Sequence, residues 1–192
     1  GVGRFDIVVR GKAAHAGLDP EKGISAVLGL SHVIQDLYAL NDLEKGVSVN
    51  VGLIEGGLQS NVIAPQARAA VDLRVPTMED ARRLEDAILG LTSPMPGIEL
   101  EISGQINRPP LERTPANQAL WRRAQDLAGE LNLDLEEGMA GGGSDGNYTS
   151  LYTATLDGLG AVGDGAHARH EFIYIDRMIE RTALLALLLL TP

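Results

Sequence analysis

Hydrophobic and polar residues alternate in four short stretches of the first half of the chain, a period of two that predicts half-buried β-strands. These stretches cover residues 5–9, 47–53, 67–73 and 98–102. Between them lie two stretches with apolar residues at helical spacing, from Pro20 to about Leu40 and from Thr77 to about Leu91. The first half therefore alternates between strand and helix patterns.

The order of these elements is β-α-β-β-α-β, the ferredoxin-like arrangement, in which both helices cover one face of an antiparallel sheet. We predict such an α+β domain over residues 1–106. Thr77 with Asp80 three residues later predicts an N-cap for the second helix. The buried stripe of the first helix is predicted at Ile24, Val27, Leu28, Ile34 and Leu37.

The pattern changes at Asn107-Arg108-Pro109-Pro110, where two prolines favour an extended segment. A helix is predicted to begin at Thr114-Pro115, and a last helix to pack the apolar residues 183–190 into a core. Two glycine-rich stretches lie between these helices, at residues 141–147 and 158–165. Residues 107–192 lack a complete architecture, so we predict that they are part of a larger α/β domain.

Charge and composition narrow the range of partners. The 192 residues carry a net charge of −10 and no cysteine, which excludes disulfides and thiolate chemistry. Acidic residues outnumber basic ones on both sides of Arg108, so nucleic acid is not an expected partner. The apolar run near the C-terminus is shorter than the ~20 residues of a membrane span. No signal peptide is recognisable. We expect no membrane partner and a cytoplasmic location.

One candidate chemistry is a serine hydrolase. Residues 142–146 fit the pattern G-x-S-x-G around Ser144, followed by Asp157 or Asp164 and then His167. The residues before Ser144 do not form a hydrophobic strand pattern, and the stretch from Ser144 to His167 is too short for the βα units of that fold. A P-loop is excluded because no lysine follows Lys45.

A second chemistry follows from a family resemblance. In order along the chain, six segments resemble the M20 metallopeptidases, a family of carboxypeptidase G2-like glutamate carboxypeptidases, acetylornithine deacetylases and succinyl-diaminopimelate desuccinylases. The segments are residues 11–17, 56–65 (Gly-Gly and Asn-Val-Ile-Ala-Pro), 71–74 (Val-Asp-Leu-Arg), 107–110, 141–147 and 158–171. The resemblance implies a ferredoxin-like lid and dimerisation domain at residues 1–106. Residues 107–192 would be the C-terminal part of a zinc-peptidase catalytic domain.

The resemblance also implies a centre with two zinc ions. His167 matches a metal ligand of the family, although His170 could compete for that role. Neutral imidazole is a suitable zinc ligand. The family's other ligands precede the lid, so we expect this chain alone to bind zinc weakly and to be inactive.

Other site residues are assigned by the same resemblance. Arg108 matches the arginine that receives the substrate's carboxylate, and Asn61 a lid asparagine that contacts the substrate. His15 matches a lid histidine that stabilises the oxyanion in the partner subunit's site. Gly142, Gly143 and Ser144 are predicted to contact the substrate. Alternative roles are a surface ion pair for Arg108, a turn for Asn61 and a local backbone contact for His15.

The expected activity is hydrolysis of an amide bond next to a free carboxylate, in a small peptide or N-acyl amino acid. Alternatives are a deacetylase, desuccinylase or aminoacylase of the same family, or a non-catalytic dimerisation module. The resemblance implies a homodimer that forms through the lid domain.

Overall fold

The computed structural model describes residues 1–191, which form two compact units. The first comprises Gly1–Leu111 together with Gly141–Gly143, and the second Glu112–Ala140 together with the chain from Ser144 onward. The predicted boundary after residue 106 falls inside the last strand of the first unit. The regular elements of the first unit are β1 (Val2–Arg10), α1 (Ala26–Tyr38), β2 (Ser48–Gly56), β3 (Gln66–Arg74), α2 (Met78–Leu89) and β4 (Glu99–Arg108).

The four strands form one sheet in the order β2-β3-β1-β4, and every neighbouring pair is antiparallel. Alternate residues of β1 and β3 point to the helix-covered face and are buried there: Phe5, Ile7, Val9, Ala67, Ala69, Val71 and Leu73. The opposite face of the sheet carries exposed polar residues such as Arg4 and Arg68. The predicted ferredoxin-like fold is confirmed.

The second helix agrees closely with its predicted pattern. The Thr77 hydroxyl accepts a hydrogen bond from the Asp80 amide at 3.0 Å, so Thr77 caps α2 as predicted. Hydrogen bonds from Arg83 and then Thr77 hold the pKa of the Asp80 carboxyl below its usual value. The helix buries Ala81, Leu84 and Ile88 against the sheet.

The predicted stripe of the first helix is wrong at two positions. Val27 and Leu28 are 47% and 49% exposed, whereas the buried residues of α1 are Ala26, Gly29, Leu30, Val33 and Leu37. Ser25 caps the helix by accepting from the Leu28 amide. Because residues 24–30 are nearly all apolar or small, their spacing allowed two helical phases. Burial of the phase that contains Ala26 leaves an apolar surface on the other side.

A β-bulge in β2 produces another difference. The pairing of β2 with β3 shifts between Val51 and Leu53, which inserts Gly52 as an extra residue. A one-residue shift moves the following side chains to the other face. Leu53 was expected on the buried face but is 70% exposed, and Ile54 is 59% exposed. The edge strand therefore ends with two exposed apolar side chains.

The second unit contains α3 (Pro115–Glu130), α4 (Gly146–Thr149), a hairpin of β5 (Gly163–Asp164) with β6 (Phe172–Ile173), and α5 (Ile175–Leu190). Thr114 caps α3 as predicted. A small core joins α3 to α5 through Leu127, Ala128 and Leu184. The last helix was expected to pack into a core, but Ile179, Leu189 and Leu190 are 72–77% exposed. Only one side of α5 is covered by the described residues.

Candidate functional site

His15 and Asn61 lie on neighbouring loops that continue the pairing of β1 with β3. Three backbone hydrogen bonds link the loops: Gly11 to Pro65, Ile63 to Ala14 and Ala16 to Asn61, each at 2.9 Å. His15 itself forms a bridge with Val62. The structure therefore brings together two residues that lie 46 positions apart in the sequence.

The orientation of the His15 ring is fixed by its own turn. Its Nδ1 atom accepts hydrogen bonds from the amides of Gly17 (3.1 Å) and Leu18 (3.2 Å). An Nδ1 that accepts carries no proton, so the neutral ring has its hydrogen on Nε2. The ring therefore presents an N–H donor, the chemistry that binding to an oxyanion requires. The local backbone contact and the donor role are compatible.

Arg108 is oriented by a second bulge, at the end of β4. Val2 pairs with Arg108, but Gly3 pairs with Ile106, so Asn107 is an extra residue. Ile106 packs against the core. The bulge places Arg108 on the opposite, open face of the sheet. Bulges are common beside active sites, where they redirect a side chain.

The glycine segment 141–143 lies against this part of the sheet. A Cβ added at Gly143 would come within 2.7 Å of Cδ of Arg108, so only glycine allows this close approach. Val2 also pairs with Arg74 on its other side, so Arg74 and Arg108 flank one residue on the same face. The Arg74 guanidinium donates to the Gly141 carbonyl at 2.9 Å.

Arg74 received no role in the sequence analysis, although its Val-Asp-Leu-Arg segment contributed to the resemblance. A usable signal was present in the alternation of β3, which places Asp72 and Arg74 on one face. The two side chains form a bidentate ion pair, with Nε to Oδ1 at 2.6 Å and Nη2 to Oδ2 at 3.1 Å. The arginine is thereby held in a fixed orientation.

Ser144 lies in a turn and not at a nucleophile elbow. Its amide donates to Oδ1 of Asn147 at 2.8 Å, and its hydroxyl accepts from the Gly146 amide at 3.1 Å. Residues 133–140 before it have no regular secondary structure, whereas the elbow requires a strand there. The serine-hydrolase alternative therefore lacks its structural context.

His167 lies at the tip of the β5–β6 hairpin, exposed and with a positive φ of 67°. The His170 ring packs over Gly165 in the same loop. Between residues 1 and 191, no three histidine, aspartate or glutamate side chains come together in a way that could hold a metal ion. The residues of this chain therefore do not fit a complete zinc site, and His167 could supply one ligand only.

Comparison with known families identifies the first part of the chain. Residues 1–93 match the family model of the M20 peptidase dimerisation domain. Residues 1–93 are an M20 dimerisation domain. The resemblance predicted from the six sequence segments is thereby confirmed.

Relatives of this M20 chain are similar at low identity. Carboxypeptidase G2 from Pseudomonas sp. (strain RS-16) is 26% identical over 198 residues, which cover 99% of this chain and 47% of that protein. The uncharacterized protein YqjE of Bacillus subtilis is 26% identical over 174 residues, covering 88% of this chain and 46% of YqjE. A p-aminobenzoyl-glutamate hydrolase from Escherichia coli is 38% identical over 72 residues, 37% of this chain and 16% of that protein.

Solved structures share the fold across both units of the M20 chain. Aminopeptidase PepT from Bacillus cereus aligns with a TM-score of 0.81 at 21% identity, covering 97% of this chain and 50% of that one. YXEP of Bacillus subtilis, a dinuclear metal-binding M20 peptidase, aligns at 0.71 with 17% identity, covering 97% and 48%. The chain therefore spans about half the length of these relatives. In the part of the chain that is described, no helix has the length and apolar character needed to span a membrane.

Proposed function

We propose that this chain is part of a zinc-dependent amidohydrolase that cleaves an amide bond next to a free carboxylate. The observation that carries the proposal is the bulge at Asn107, which places Arg108 on the open sheet face against Gly143. A guanidinium offers two parallel N–H donors to a carboxylate. The amides of Gly142 and Gly143 lie in the same segment and can donate to the same ligand.

The names of the relatives support an acidic amino acid as the carboxylate-bearing part. One relative is named for the hydrolysis of p-aminobenzoyl-glutamate, in which an acyl group is attached to glutamate. N-acyl glutamates are therefore the first substrates to test. His167 would contribute one zinc ligand, with the others on the part of the relatives that has no counterpart in this chain.

His15 and Asn61 cannot serve the same bound ligand as Arg108 within one copy of the first unit. Arg108 pairs with Val2 at one end of β1, and the loop of His15 begins beyond Arg10 at the other end. Eight residue steps along a strand measure about 26 Å, far more than a histidine side chain can reach. We therefore infer that His15 and Asn61 act in the site of a partner subunit.

The surface that would bring two copies together is the exposed edge strand β2 with the adjacent apolar side of α1. Edge strands carry unpaired backbone groups that favour pairing with another chain. Val27, Leu28, Leu53 and Ile54 are all at least 47% exposed along this edge. A self-complementary surface of this kind suits a two-fold dimer.

Ile54→Glu is expected to weaken this dimer about 100-fold, because a charge buried at an interface costs roughly 3 kcal/mol. The measurement is light scattering after size exclusion over a concentration series, with the wild type at twice the 20.4 kDa chain mass. Leu89→Glu is the matched control, since Leu89 is also exposed but lies on α2. If Leu89→Glu dissociates the dimer and Ile54→Glu does not, the interface is elsewhere.

The hydrolase proposal is tested in a form of the protein as long as its relatives. We expect hydrolysis of N-acyl glutamates that is lost on chelation and restored by zinc, and that is unaffected by a serine-reactive organophosphate. Inhibition by the organophosphate would support the serine hydrolase, and a metal-loaded dimer without activity on any acyl amino acid would support the non-catalytic module. Preference for N-acetyl or N-succinyl amines over peptides would indicate the deacetylase or desuccinylase branch.

A further inference from the structure

The glycine segment 141–143 belongs to the first unit by its contacts, although it is more than thirty residues beyond the last strand of that unit. Two side chains of the sheet account for this placement. Arg74 donates to the Gly141 carbonyl, and the aliphatic part of Arg108 lies against Gly143. The segment therefore rests on two arginines that project from neighbouring positions of one sheet face.

The two arginines differ in what holds them. The guanidinium of Arg74 is fixed by the bidentate pair with Asp72, and both side chains are only about one-third exposed (34% and 33%). After that pairing, the remaining Nη1 donor points to Gly141. A charged donor to a carbonyl forms a stronger hydrogen bond than a neutral one. Asp72 and Arg74 thus form a preoriented contact for a segment that has little conformational restraint of its own.

We propose that Arg74 is a positioning residue: held by Asp72, it fixes Gly141 and thereby keeps the Gly142 and Gly143 amides at a constant distance from Arg108. This inference rests on the proposed function, since it assigns Arg108 and the glycine amides to one carboxylate-binding site. Arg74 acts through the glycine segment and not on the substrate. Glycine-rich segments lose much conformational entropy on ordering, and the Arg74 contact offsets part of that cost before substrate binds.

The contact itself is tested in the present chain by ¹⁵N relaxation of the Gly141, Gly142 and Gly143 amides. In the wild type we expect order parameters near the ~0.85 of rigid backbone, and in Arg74→Met values below about 0.6. Arg74→Lys keeps the positive charge but lacks the fork, and it should give intermediate values. Arg68→Met is the matched control, because Arg68 lies on the same face of β3 six residues away. Unchanged order in both Arg74 variants would overturn the proposal.

The consequence for substrate binding is tested by steady-state kinetics on N-acyl glutamates in the active form. Arg74→Met should raise KM about tenfold with kcat within twofold, the effect of losing one charge-assisted hydrogen bond. Asp72→Asn should raise KM in the same direction, because it loosens Arg74. If Arg74 instead bound the substrate directly, Asp72→Asn would leave KM unchanged or lower it, which would refute the positioning role. Loss of order without any change in KM would also refute it by separating the segment from substrate binding, while hydrolysis by the wild type would still support the proposed function.

Discussion

Arg108→Ala is expected to lower kcat/KM for N-acyl glutamates by about 30- to 1000-fold, which corresponds to ~2–4 kcal/mol of transition-state stabilisation. The reason is the loss of a two-pronged, charge-assisted contact to the substrate's carboxylate. Arg108→Lys should lose about tenfold, because an ammonium keeps the charge but not the planar fork. The assay compares each N-acyl glutamate with its α-amide in the active, metal-loaded protein.

The α-amide separates binding from folding. It should be a poor substrate of the wild type and almost unaffected by Arg108→Ala, since the carboxylate that Arg108 binds is absent. Arg10→Ala is the control, because Arg10 forms an exposed 3.4 Å pair with Glu101 at the other end of the same sheet. Equal losses on the acid and on the amide would identify Arg108 as a structural arginine.

A mixed dimer of His15→Ala and His167→Ala is expected to recover about half of the wild-type activity, although each parent is inactive. One site of the mixed dimer combines His167 of the first subunit with His15 of the second, and the other site lacks both. Co-refolding differently tagged chains, isolating the mixed dimer and measuring its kcat gives the result. This outcome requires His15 to act in the partner's site, as the length of β1 suggests.

The matched control places both substitutions on one chain and pairs it with the wild type. If His15 acts across the dimer, neither site of this pair is complete and the activity is lost. If His15 acts within its own subunit, the wild-type chain keeps a complete site and half of the activity remains. The two mixed dimers therefore give opposite results under the two arrangements, which rules out a simple loss of stability as the explanation.

The strands and their inward faces could be predicted because they depend on short-range alternation. Ala67, Ala69, Val71 and Leu73 are buried as the pattern of β3 predicted. The caps at Thr77 and Thr114 were predictable for the same reason, since an N-cap involves residues only three positions apart. The family resemblance was also carried by local segments, and it identified the dimerisation domain.

The two bulges could not be predicted, because register depends on the partner strand. Alternation alone placed Leu53 on the buried face, and only the pairing with β3 shows the extra Gly52. The bulge at Asn107 decides the direction of Arg108 in the same way. The contact of Arg74 was hidden for a related reason, because its acceptor lies 67 residues further along the chain. The roles of His15, Asn61, Gly142, Gly143, Ser144 and His167 stay predictions.

The pairing of Val2 with Arg108 also has an evolutionary consequence. Paired residues on neighbouring antiparallel strands have Cα atoms about 5 Å apart, so residues 2–108 leave the sheet beside the point where they enter it. A segment whose ends meet in this way can occupy a loop of another protein without separating the parts on either side. Residues 2–108 therefore have the geometry of a transplantable module, which recombination can insert into or remove from a host fold at little structural cost.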